Sequence, residues 1–579
     1  MKKLLLLLLL CLMAGSASAV SLELPEPYGT VNAEIHYVDM NAVSLGTEYQ
    51  PVLNPAYRVW FIPSLNEVLL NYIYYGDIIT EVTINGKVYP VTGIWVSTND
   101  GLYDPSSGGG DITELSLPEG MKLLGGSWFA LNTPNLISLT IPSTMIFIGE
   151  EAFRDCTSLK EVIFVDSDET IEIDVDRWYY RPFNWSPVET CYLGRNYTCS
   201  TQLFNSDYFK HITISGKMTQ MPKSICSYYT LLETLTLMEG IPYISERAFM
   251  YCSSLTHITI PNSVKTIGSQ AFETQNSSLT DLDLGHGVQY LDTRSFQGHS
   301  VFKNLTLPTS LDSIHSLAFR YCDGIQLVVI EDTSKPLKII GNDVAFSSPD
   351  DFTVYQGRTI QGNYPPFKGN DGLKSLEMSN YVTQIAPDYF SYCRNLASVK
   401  LSENLTEIPS CAFMYCTSLE SIVMGDAVTR IGSQAFEDAA LKSVKMGTGL
   451  TYLDNRAFWN CDEIEEVVCM ATTPPECANE SRTFDSDIYS TASLKVQQSC
   501  IEDYKEAPVW KNFLNVSVAS LLGDVDGDGQ ISIGDVTRLI DMLISGSSGY
   551  NASADVDGDG QITIGDVTAL IDLLLHDTW

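Results

Sequence analysis

At 579 residues the chain exceeds one ordinary hydrophobic core, so several domains or a repeat array are expected. A formal net charge of -37 excludes nucleic acid and anionic membrane surfaces as partners, because both require the opposite sign. The same charge favours calcium wherever the carboxylates are clustered.

Met1-Lys2-Lys3, the apolar run Leu4 to Leu10 and the small residues Ala17-Ser18-Ala19 read as an export leader over 1–19. Its apolar run is too short to span a bilayer, and no later stretch is long enough, so no membrane insertion of the mature chain is expected. Residues 20–110 are rich in Tyr, Val and Ile and are predicted to form a β-rich N-terminal cap. Within it, Asn85-Gly86 stands between two β-prone runs and signals a hairpin. Ser106 to Gly110 reads as a loop.

A repeat then dominates residues 111–468. Ala248 to Phe272 (AFMYCSSLTHITIPNSVKTIGSQAF) and Ala412 to Phe436 (AFMYCTSLESIVMGDAVTRIGSQAF) agree at nearly every apolar position. The marker phenylalanine returns at Phe129, Phe153, Phe249, Phe272, Phe296, Phe319, Phe346, Phe390, Phe413, Phe436 and Phe458, mostly 22 to 24 residues apart. That period predicts a solenoid, since no single unit can bury its own apolar stripe. In each unit Leu255-x-x-Ile258-x-Ile260, or its counterpart, is the strand. Ile258 and Ile260 face one side and Thr259 the other. Pro261 ends the strand, and Val264 and Ile267 turn inward. Thr140, Thr213, Thr236, Thr259 and Thr306 are expected to stack outward as a weakly polar ladder, a surface suited to a macromolecule.

Cys156, Cys252, Cys322, Cys393, Cys416 and Cys461 each follow a marker phenylalanine by three residues, which predicts a buried ladder of small side chains rather than disulfides. Cys191 with Cys199, and Cys469 with Cys477, are the pairs close enough in sequence to bridge. Tyr192-Leu-Gly-Arg195 recurs as Tyr355-Gln-Gly-Arg358, and both are read as longer repeat variants with structural arginines. Residues 469–518 lose the repeat wording. There Tyr504 and Trp510 are expected to plug the last coil, as a C-terminal cap.

The wording A-F-x-x-C-x-S-L resembles the BspA-like leucine-rich repeats of bacterial surface proteins, over roughly residues 85–515. The resemblance implies a mostly β leucine-rich repeat solenoid, with a short strand plus turn or 3-10 segments per coil, and a role in adhesion.

Residues 519–579 carry the clearest chemistry. Asp524-Val-Asp526-Gly-Asp528-Gly-Gln530-Ile-Ser532-Ile-Gly-Asp535 is a twelve-residue calcium loop. It returns 31 residues later as Asp555, Asp557, Asp559, Gln561, Thr563 and Asp566 at the same places. Calcium takes six to eight oxygens, and carboxylates at alternate positions supply them. Gln530 and Gln561 would contribute backbone carbonyls, and Ser532 and Thr563 stand where ligation usually passes through water. Asp535 and Asp566 close the loops. Two ions are expected. An amphipathic helix follows each loop, with Val536, Leu539, Ile540 and Leu543, then Val567, Leu570, Ile571 and Leu574 as its apolar side.

Loop-helix written twice, with no helix before the first loop, resembles a type I dockerin. That likeness implies a small α-helical calcium-binding domain that docks to a cohesin-type protein. The pairs Ile533-Gly534 and Ile564-Gly565 would then help to set partner choice. Because they match, the surface could engage in two orientations. No zinc-binding His spacing, nucleophile elbow or phosphate-cradling loop occurs, so no enzyme activity is expected. The sequence is read as an exported, non-catalytic adhesion protein whose solenoid contacts a host or cell-surface protein or glycan. The alternative is an accessory subunit of an extracellular polysaccharide-degrading complex.

Overall fold

Alternating burial along each short strand builds the observed architecture. The computed structural model describes residues 15–23, 30–37, 58–62, 67–71, 80–84, 87–95, 113–125, 134–173, 175, 181–275, 277–341, 343, 351–362, 364–478, 482–519, 522–526, 531–545 and 553–576. Residues 1–14 of the expected leader, Asn85-Gly86, the loop Ser106 to Gly110, Phe129, Phe346, Asp528 and Gln530 lie outside them. The chain divides into two units, Met1–Phe302 and Lys303–Trp579.

In the first unit, Gly15–Glu23 pairs antiparallel with Thr30–Tyr37, so the expected leader boundary at Ala19 falls inside a strand. Four pairs beyond it, Val20 with Ala33 through Glu23 with Thr30, belong to the expected mature chain. Glu81–Ile84 runs antiparallel to Lys87–Trp95 with Ile84 opposite Lys87, the register of a two-residue hairpin. Lys87–Trp95 then pairs in parallel with Leu123–Gly125, and Phe147–Ile148, Ile171–Ile173 and Tyr197–Thr198 extend that sheet. The N-terminal strands therefore continue the solenoid's sheet and satisfy the backbone groups of its first edge.

A second parallel sheet in this unit runs Glu114–Ser116, Ser138–Ile141, Glu161–Phe164, Thr190–Leu193, His211–Ile214 and Thr234–Leu237. Leu139, Val162, Cys191 and Ile212 share one register row and are all buried. On the outer face Thr140 pairs with Ile163, and Thr213 lies between Tyr192 and Thr236. The expected threonine ladder is thus interrupted by Ile163 and Tyr192. Tyr192 sits in a regular coil of its own, as does Tyr355 in the strand Phe352–Gln356 of the second unit.

The turn side of each coil is held by main-chain bonds running in one direction. Arg247, Phe249 and Tyr251 donate their N–H groups to the carbonyls of Ser269, Ala271 and Glu273 in the next coil, at 2.9, 2.7 and 2.7 Å. Cys411, Phe413 and Tyr415 do the same to Ser433, Ala435 and Glu437. To aim alternate amides forward, the residues two before and two after the phenylalanine adopt left-handed backbone, with φ of 55° at Arg247 and 60° at Tyr251. This alternation realises the segment as turns and prevents a regular helix.

The phenylalanine rings stack inside. In the first unit Phe249, Phe272 and Phe296 lie 5.3 and 5.1 Å apart; in the second, Phe367, Phe390, Phe413, Phe436, Phe458 and Phe484 follow at 5.2 to 5.5 Å. Each such pair contributes about 0.5–1.5 kcal/mol beyond the area it buries.

Three residues further on, the cysteines form the expected buried ladder, and each has a partner the sequence did not suggest. Cys393, Cys416 and Cys461 donate Sγ–H to the carbonyls of Phe367, Phe390 and Phe436 at 2.9, 3.3 and 3.0 Å. Where cysteine is replaced, the bond persists: Ser186 Oγ donates to Phe153 O at 2.7 Å, and His299 Nε2 to Phe272 O at 2.7 Å. The cysteines from Cys156 to Cys500, Cys191, Cys199, Cys469 and Cys477 among them, form no disulfides.

Arg195 and Arg358 are almost wholly buried. Arg195 Nη1 donates to Pro142 O and Ser143 O, and its Nε and Nη2 to Glu169 O. Arg358 donates to Pro308 O, Thr309 O and Leu311 O at 2.8–3.3 Å. Both arginines are structural, tying their own coil through carbonyls to coils as far as two turns back.

In the second unit the strand ladder continues past the repeat wording, from Glu466–Cys469 to Ser493–Val496 and Asn515–Val518. Trp510 and Tyr504 are completely buried at this end. Trp510 Nε1 donates to Pro475 O at 2.8 Å and the Tyr504 hydroxyl to Ala471 O at 2.8 Å, so neither is available to a sugar.

Candidate functional site

The C-terminal sequence folds into two loop-helix halves around one small core. The helices span Ile533–Ser545 and Ile564–His576. Val525, Val536, Leu539, Ala554, Val567 and Leu570 form the buried cluster, flanked by Leu543 and Leu574. Ile540 and Ile571, read from the sequence as core-facing, are instead 37% and 39% exposed. Their 3.6-residue phase puts them at the border of the apolar side, where they turn outward.

In the first loop, carboxylate oxygens of Asp524, Asp526 and Asp535 lie within 4.8 Å of one another; in the second, those of Asp555, Asp557 and Asp559 do. Three anions gathered this closely fit a divalent cation, and an all-oxygen donor set fits calcium.

The closing aspartates, of which Asp535 but not Asp566 joins its loop's carboxylate group, collect main-chain amides. Asp535 Oδ1 accepts the N–H groups of Val525 and Asp526 at 2.7 and 3.1 Å, and Oδ2 that of Ser532 at 2.8 Å. Asp566 accepts from Asp557 at 3.1 Å and Thr563 at 2.6 Å. Burial opposes the charged form of Asp566, but amides from Thr563, Asp557 and Val556 outweigh it and hold the carboxyl below the ordinary aspartate range. Asp526, Asp557 and Asp559 are exposed. The Gln561 amide donates to Asp559 Oδ1 at 2.8 Å.

Ser532 and Thr563 start the helices. Their hydroxyls accept the Gly534 and Gly565 N–H groups, both at 3.0 Å, as N-caps. A Cβ on Gly565 would stand 2.6 Å from Asp557 Oδ2, and one on Gly534 3.3 Å from Asp526 Oδ2. These two glycines let the second carboxylate of each loop pack against the helix start, a role that the motif spacing did not reveal.

Their neighbours are different. Ile533 and Ile564 are 75% and 72% exposed. One helical face carries each on through Thr537, Ile540 and Ile544, or Thr568, Ile571 and Leu575, all exposed. The same apolar stripe is therefore presented twice.

Family models account for both parts of the chain. The model described as BspA type leucine rich repeat region matches in 6 copies over residues 123–252, 219–349 and 362–473, and the Dockerin type I domain model matches 522–575. Dockerin type I domains generally bind calcium and cohesins. Among solved structures, a leucine-rich repeat protein from Bacteroides ovatus is 20% identical, covering 72% of this chain and 94% of that one, with a TM-score of 0.35. A leucine rich cell surface protein from Faecalibacterium prausnitzii is 19% identical over 73% and 95%, at 0.24. The pneumococcal vaccine antigen PcpA is 16% identical over 81% and 98%, at 0.27. No curated protein sequence matches the chain. No helix among the described residues is long and apolar enough to cross a membrane. With its repeats matched over more than half of its length, the chain belongs to the BspA-type leucine-rich repeat family and ends in a type I dockerin domain.

Proposed function

We propose that this is an exported, non-catalytic adhesion protein whose solenoid contacts a surface macromolecule while its terminal module docks to a cohesin-type partner. The observation that carries the docking part is the duplicated stripe of exposed isoleucine beside two converging carboxylate clusters. Asp524, Asp526, Asp528 and Asp535, with the Gln530 carbonyl and Ser532, would hold one calcium ion. Asp555, Asp557, Asp559 and Asp566, with the Gln561 carbonyl and Thr563, would hold a second. Bound calcium supplies positive charge that relieves repulsion among the carboxylates and locks each loop.

The residues then act as a display. Asp535 and Asp566 gather the loop amides, Ser532 and Thr563 start the helices, and Ile533 and Ile564 stand outward at the first helical position. An exposed aliphatic row fits the desolvated centre of a protein interface. The matching Gly534 and Gly565 keep both halves in the same shape, so a partner could read either half.

The test uses the whole chain immobilised and offered a panel of purified cohesins, in calcium or in chelator. One or more cohesins should be retained in calcium only, and Ile533→Asp with Ile564→Asp should abolish retention. Retention that persists in chelator, or that ignores the double substitution, contradicts the reading.

A further inference from the structure

Two residues after most of the stacked phenylalanines the backbone is left-handed, and at Tyr251, Gly369, Tyr392 and Tyr415 its amide reaches the next coil. Glycine, aspartate or asparagine meets this demand at Gly298, Gly369, Asp155, Asp438 and Asn460. At Trp185, Tyr228, Tyr251, Tyr321, Tyr392 and Tyr415 a large aromatic residue occupies the same strained position, with φ of 59–64°. A bulky residue there carries backbone strain that glycine would avoid.

In the second unit one such ring has an open flank. Tyr392 and Tyr415 stack at 4.8 Å, so each covers one face of the other. On the other side of Tyr392, the equivalent residue of the preceding coil is Gly369, whose amide donates to Ser391 O at 2.7 Å. A Cβ on Gly369 would meet nothing within 4 Å. At this ledge Lys368 Nζ pairs with Asp388 Oδ1 at 2.9 Å, and both side chains are about one-third exposed. Exposed Tyr364 lies within electrostatic range of the same ammonium.

A half-exposed aromatic ring beside the open space at Gly369, bordered by an ammonium, a carboxylate and a phenol, matches a sugar ring, which offers C–H groups to the ring and hydroxyls to the rim. The net charge of -37 disfavours a polyanion. We propose that the ledge formed by Gly369 and Tyr392, rimmed by Lys368, Asp388 and Tyr364, binds one sugar ring of a neutral polysaccharide. The site is separate from the docking module and does not rest on that proposal.

Affinity electrophoresis of the whole chain tests it, in native gels containing xyloglucan, mixed-linkage β-glucan or galactomannan, with pectin as the anionic comparison. At least one neutral gel should retard the chain, and pectin should not. Tyr392→Asn removes the ring, and Gly369→Asn fills the ledge. Asparagine tolerates left-handed backbone, so both variants should keep the thermal midpoint while retardation falls about tenfold or more. No retardation in any neutral gel, retardation by pectin alone, or unchanged retardation of Gly369→Asn would each overturn the proposal.

Discussion

Acidification is expected to weaken the Met1–Phe302 unit through one side chain, His299, which replaces cysteine in the buried ladder. Its Nε2–H donates to Phe272 O at 2.7 Å, its Nδ1 faces Ser277 Oγ at 2.6 Å, and the residue is only 4% exposed. Burial lowers its pKa from 6.5 to about 4, and the bond to the Phe272 carbonyl offsets only part of that effect. Because the folded pKa is depressed, the unfolded chain takes up the proton first. The stabilisation is complete above pH 6.5 and is lost as pH falls toward 4. By linkage the loss is about 2 kcal/mol at pH 5 and approaches about 3.4 kcal/mol once both states are protonated. Urea unfolding of the wild type and of His299→Cys at pH 7.5 and pH 5 measures it. Carboxylate titrations are common to both proteins, so the difference between their pH losses isolates the imidazole. An equal loss in the two proteins, or a His299 resonance titrating near 6.5, would refute the reasoning.

Three further outcomes follow from other contacts. Gly565→Ala should weaken calcium binding about tenfold by displacing Asp557, whereas Ile564→Ala, on an exposed neighbour, should leave it unchanged; calorimetry separates the two. Arg358→Met strips the donor from the carbonyls of Pro308, Thr309 and Leu311. It should lower unfolding free energy by about 3 kcal/mol, at about 1–3 kcal/mol per unsatisfied buried group, and a loss below about 1 kcal/mol would show that water replaces the guanidinium. Burial pushes the Cys393 thiol up to about 12 and Cys469 up to about 11, so both should resist a thiol reagent at pH 8 until the chain unfolds, and prompt labelling of either in the folded chain would contradict this.

What could be read from the sequence was whatever repeats locally. The paired words from Ala248 and Ala412 placed the strand, the inward turn and the ring ladder, because each coil meets the same steric problem with the same residues. Phe183, Phe204, Phe367 and Phe484 escaped notice although their rings pack against neighbours in the ladders of their own units at 5.0 to 5.5 Å. They follow coils of altered length and are preceded by Pro, Leu or Thr rather than Ala, and ring stacking depends on register between coils, not on the neighbouring residue. The last two coils were hidden for a related reason: the strands Ser493–Val496 and Asn515–Val518 keep the pairing register while their turn side changes to short helices. In the terminal module the alternate carboxylate spacing was legible, and the structure gathers Asp524, Asp526 and Asp535 in one loop and Asp555, Asp557 and Asp559 in the other. The steric duty of Gly534 and Gly565 did not, since it arises only when the helix start packs against Asp526 and Asp557.

The central claim, that the terminal carboxylates form calcium sites which organise a docking surface, is tested most directly by calorimetric titration of calcium into the metal-free whole chain. Two ions should bind, helical ellipticity should rise with them, and Asp524→Ala and Asp555→Ala should each remove one ion. Binding of no ion, or a stoichiometry that neither substitution changes, would contradict the account.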